Sequence, residues 1–91
     1  MTRSEMLREA EKIVTKDRNK EYGGMEDNFF TIARMWSAYK GVHFDPKDVP
    51  AMMGCVKIAR IGSGQVKADN WIDLAGYAAC GCEIQTKEVK E

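Results

Sequence analysis

Ninety-one residues leave room for one domain, and 14 Lys plus Arg set against 14 Asp plus Glu give a formal net charge of zero at pH 7. Without a global positive field, the chain is not built to hold a nucleic-acid duplex or an anionic membrane surface. No apolar run approaches the roughly 18 residues of a membrane span, and the stretch after Met1 lacks a secretory-signal pattern, so a cytoplasmic protein is expected.

The first helix is predicted to start after Thr2, which stands three residues before Glu5 as a capping box requires. Met6, Leu7, Ala10, Ile13 and Val14 then fall on one helical stripe that reaches about Thr15. Lys16 to Gly24 has no apolar period and ends in two glycines, so it reads as a polar loop carrying one aromatic, Tyr22. A second helix follows, with Glu26 and Asp27 suited to its positive end, with Phe29, Ile32, Ala33, Trp36 and Tyr39 on its stripe, and with Gly41 as its stop. Pro50 would break an established helix, so Asp45-Pro46 is read as a short turn and the third helix as restarting near Asp48. That helix ends at Gly62-Ser63-Gly64. The fourth runs from about Lys67 to beyond Ile84 and is apolar around most of its circumference, so it should be enclosed. Gly76 and Gly81 inside it suggest the close approach of another backbone, and the charged tail after Thr86 should fray.

No stretch alternates as a strand does, and the sum is an all-α, compact bundle of about four helices with antiparallel neighbours. So small a bundle buries only about 60–65% of the surface its unfolded chain exposes, which makes a homo-oligomer the expected state. Cys55, Cys80 and Cys82 cannot all pair internally and lack zinc spacing with the single His43, so they are read as small buried apolar groups in a reduced compartment. Trp36 and Trp71 read as core, and His43 as a surface residue with no evident partner.

The informative anomaly is charge inside the most apolar segments. Asp69, Asp73 and Tyr77 lie four apart on the fourth helix, and Lys57 and Arg60 share a face of the third. A carboxylate between Ile72 and Leu74 needs a partner or a wet cavity, and Lys57 and Arg60 are the nearest cations by sequence. One reading is an ion-pair network that fixes how helices three and four meet. The other is a polar pocket in which Lys57, Arg60, Lys16 and Arg18 receive phosphates, Asp27, Asn28, Asp69 and Asp73 bind ribose, base edges or Mg²⁺, and Tyr22 stacks on a ring.

The runs Thr15 to Gly23, Glu26-Asp27-Asn28-Phe29, Lys57-Ile58-Ala59-Arg60 and Asp69 to Tyr77 resemble a widespread family of small phage-encoded proteins, across nearly the whole chain. More distantly the pattern is similar to the all-α, MazG-like nucleotide pyrophosphohydrolases. In those enzymes Glu-Glu-x-x-Glu on one helix and Glu-x-x-Asp on the next hold Mg²⁺ against a triphosphate. Here Phe30 stands in place of the third acid and Asn70 in place of the first acid of the second motif, with Asp69 as a possible substitute. The resemblance therefore implies a phage-type protein binding a nucleotide-derived small molecule, as a non-catalytic sponge for a host cyclic-nucleotide immune signal. The alternative is a Mg²⁺-dependent pyrophosphohydrolase using Asp27, Asp69 and Asp73, with Lys57 and Arg60 stabilising the developing charge. A helical protein-interaction adaptor is the third reading. Binding is preferred because two positions of the acid cluster are lost.

Overall fold

The computed structural model describes residues 1–17 and 24–88. Among them there are helices and no strand: α1, Arg3–Lys12, continued by a π-helical turn over Ile13–Asp17; α2, Met25–Lys40; α3, Asp48–Gly62; and α4, Ala68–Glu88. The all-α expectation of four helices holds for these residues. The main boundary change is at Lys16 and Asp17, which belong to the π turn and not to a loop. Residues 89–91, most of the tail expected to fray, lie outside the described residues.

Local chemistry explains the ends. Thr2 Oγ1 accepts from the Glu5 amide at 3.1 Å while Glu5 Oε1 accepts from the Thr2 amide at 2.8 Å, a complete capping box. α2 stops at Gly41, whose φ of 70° is open to glycine at little cost. The link to α3 is pinned by Ser37: its hydroxyl donates to the Ala33 carbonyl at 2.7 Å and accepts from the Phe44 amide at 2.9 Å. Asp48 Oδ2 accepts from the Asp45 amide at 2.8 Å, and Pro50 sits in the first turn of α3, where an intrahelical amide is not yet needed.

α3 and α4 share the broadest contact, and α1 lies against α4. Phe29 and Ala33 of α2, Val49 of α3, and Cys80 and Ile84 of α4 form the buried core. Val14, Met25, Ile32, Trp36, Met53 and Tyr77 lean on it without being fully covered. The glycines of α4 are matched to neighbouring side chains rather than to another backbone. A Cβ at Gly76 would stand 3.0 Å from Val14 Cγ1, and one at Gly81 would stand 3.4 Å from Pro50 Cγ.

Three expectations change. Trp71 is 53% exposed, and Ala78 and Ala79 of the same helix face solvent, so α4 is not enclosed by its own chain. Of the three thiols only Cys80 is buried, because Cys55 and Cys82 fall on the outward side of the α3–α4 pair. His43 has a partner, Asp45 Oδ1 at 2.7 Å, and this hydrogen bond holds the Asp45 carboxyl below its usual range. No helix among the described residues is long and apolar enough to cross a membrane.

Candidate functional site

Because α2 stands farther from α4 than α3 does, a space remains between α1, α2, α3 and α4. It is a cavity of about 170 Å³. Its walls are apolar and aromatic: Ile13 and Val14 from the π turn, Phe29, Ile32 and Trp36 from α2, and Ile72 and Tyr77 from α4. The rings are braced from behind or beside. Trp36 meets Phe44 edge-on with centroids 6.0 Å apart, and Phe29 lies tilted against Tyr77 at 6.5 Å.

Among the described residues that line this cavity, Asn28 and Asp73 carry an amide and a carboxylate, while Trp36 and Tyr77 add an indole N–H and a phenol hydroxyl to their rings. Asp73 is held from outside the cavity. Lys57 reaches across from α3 and places Nζ 2.9 Å from Asp73 Oδ2, with the side chains only 11% and 22% exposed respectively. The pair is charge-neutral, which is what allows two ions to sit this deep. Lys57 itself does not line the cavity, so a guest would meet the carboxylate and not the ammonium. Asn28 belongs to the exposed side of α2 and stands at the mouth.

An open cleft of about 720 Å³ adjoins the cavity, and Val14, Met25 and Cys80 line both. Its polar lining is acidic, with Glu11, Glu26, Asp27 and Glu83. Lys87 pairs with Glu26 and lies 3.9 Å from Glu83, two of the carboxylates that line the cleft. The hydrogen bond to Glu26, then its charge and that of Glu83, raises the pKa of Lys87.

The other expected site residues separate in space. Asp27 lies in the acidic cleft, Asp73 on the cavity wall, and Asp69 is exposed in the first turn of α4. Arg60 is exposed and joins no ion pair among the described residues, because the step from Lys57 to Arg60 carries it off the side that faces Asp73. Asn70, in the place of a motif acid, is buried, and its amide donates to Gln65 Oε1 at 3.3 Å. Among the described residues no group of three or more His, Cys, Asp or Glu is gathered as a metal ion would need. The side chain of Lys16, and Arg18 and Tyr22 entirely, lie outside the described residues. The sequence did not mark the aromatic and aliphatic walls as a site. Phe29, Trp36 and Ile72 carry the helical period of any core residue, and only tertiary placement shows a gap between them.

A family model described as a domain of unknown function, DUF6378, matches residues 5–85. The chain is 40% identical over 84 residues to the Gene 55 protein of Mycobacterium phage L5, covering 91% of this chain and 54% of that protein. To the Gene 55 protein of Mycobacterium phage D29 it is 37% identical over 85 residues, covering 93% of this chain and 56% of the relative. The chain thus spans about half the length of the curated relatives it matches. No solved structure matches it significantly.

Proposed function

The chain belongs to the DUF6378 family, and from that premise and the cavity we propose that it is a phage-type protein that binds a nucleotide-derived small molecule by taking its ring between the four helices. The observation that carries this is an apolar, aromatic-walled cavity with a carboxylate set into its wall and neutralised from behind by Lys57. Binding sites for small organic molecules have this character, with mostly apolar walls and few polar groups that fix orientation. At about 170 Å³ the cavity admits a ring and not a whole nucleotide, so sugar and phosphates remain at the mouth.

Retention without turnover fits better than hydrolysis. A Mg²⁺ mechanism needs its carboxylates on one ion. Here Asp27, Asp69 and Asp73 are divided among a cleft, an exposed helical turn and the cavity wall. In an infected cell such a protein lowers the free concentration of its ligand, and a host cyclic-nucleotide signal is the guest we propose. The test is incubation with mixed nucleotides and Mg²⁺, washing, denaturation and chromatography. Recovery of an unmodified nucleotide is expected. Pyrophosphate release that Asp73→Asn abolishes would overturn retention in favour of catalysis, and recovery of no nucleotide would overturn binding.

A further inference from the structure

We infer that the ring entering the cavity is a single heteroaromatic ring whose leading edge carries a neutral amino group directed at Asp73. The inference rests on the ligand-binding reading above and specifies its chemistry. Size sets the first limit. An apolar cavity of about 150 Å³ admits one benzene molecule, and this one, at about 170 Å³ and with Phe29, Trp36 and Tyr77 in its lining, has room for one ring.

The wall chemistry sets the second. An ionised carboxylate only accepts hydrogen bonds. Asp73 lines the cavity and its Oδ2 already accepts from Lys57 at 2.9 Å, so the acceptor capacity of Oδ1 is what the residue has left to offer a guest. A carbonyl brought against that oxygen would place acceptor on acceptor in apolar surroundings, whereas an exocyclic amine would satisfy it. The charge state of the wall sets the third limit. Lys57 already neutralises Asp73, so a cationic guest would be buried as an uncompensated charge, and a neutral donor is preferred. Asn28, able to donate and accept, meets whichever polar group follows at the mouth. Among pyrimidines these limits select cytosine over uracil, which presents a carbonyl at the corresponding position.

Calorimetric titration of the full chain with cytidine and uridine 5′-monophosphates tests this. Cytidine monophosphate should bind at least about tenfold more tightly, the discrimination expected when a polar edge is left unpaired. In Asp73→Asn, whose amide can donate to a carbonyl, the ratio should fall to within about threefold. Thr2→Ala, which lowers stability at a helix cap away from the cavity, should keep the preference, which separates recognition by Asp73 from any loss of fold. Equal affinities in the parent chain, or a ratio unchanged in Asp73→Asn, would overturn the inference. If neither pyrimidine binds but another nucleotide is recovered from denatured protein, this inference fails and the binding reading stands. Recovery of none defeats both.

Discussion

Removing one partner of the Lys57–Asp73 pair should show how far this bundle depends on a charge placed inside it. At 2.9 Å the gross attraction is on the order of 6 kcal/mol with an effective dielectric constant near 20. Much of that is offset by desolvation of two groups that retain only 11% and 22% of their side-chain exposure. Lys57→Met preserves the length of the side chain but strands Asp73, and stranding a buried ion costs roughly 3–5 kcal/mol. We expect the lower end, about 3 kcal/mol, because Asp73 borders a cavity that water can enter. For a domain of this size that loss lowers Tm by roughly 12–24 °C. Lys57→Met with Asp73→Leu removes both charges and should recover most of the deficit, giving a coupling of at least about 2 kcal/mol in a double-mutant cycle. Urea denaturation followed by far-ultraviolet circular dichroism measures all four proteins. Additive single effects, with coupling under about 0.5 kcal/mol, would show that the two ions do not support one another.

Gly81→Ala places a methyl 3.4 Å from Pro50 Cγ, an ordinary contact, and should stabilise α4 by roughly 0.5–1 kcal/mol in the same urea assay. Gly76→Leu must instead displace Val14 and occupy the cavity; a stability loss of about 1–3 kcal/mol and complete loss of nucleotide binding are expected in paired melting and calorimetric measurements. Thr2→Ala should cost about 1 kcal/mol by removing the cap. The backbone and hydroxyl hydrogen bonds from Thr2 hold the Glu5 carboxyl below its usual range. The contribution of Glu5 is therefore complete above its unfolded value and fades as pH falls through the lower folded one, so the Thr2→Ala penalty should shrink in melts run at progressively lower pH. Ile58 and Trp71 are exposed, and Cys55, Ile58, Leu74 and Ala78 line a groove of about 440 Å³ outside the α3–α4 pair. Light scattering after size exclusion should find a dimer that Ala78→Arg converts to monomer, and a parent chain that elutes as a monomer would refute self-association through this face.

The helices were legible because each signal acts locally: Thr2 with Glu5 caps, Gly41 stops, and Pro50 fits only a first turn. Asp73 was legible for a related reason. A carboxylate between two large apolar residues demands compensation, and Lys57 provides it. Arg60 misled because sharing a helix face at three residues' separation is a loose criterion. A rotation of roughly 300° leaves a residue about 60° away from its neighbour, enough here to turn it to water. Trp71 and Cys82 misled through composition, since apolar character around a whole helix shows that burial is favourable but not that the same chain supplies the cover. The cavity left no mark in the sequence, because a gap is a property of how far α2 stands from α4.

The π turn at Ile13–Asp17 closes its backbone hydrogen bonds one residue farther along the chain than the helix it extends. One wall of the cavity takes both Ile13 and Val14 from this turn. A single-codon deletion within it would restore ordinary winding and swing everything downstream by about 100°. Because that swing carries past the wall, a change of length here cannot stay local: it reorients the packing of the bundle together with the cavity.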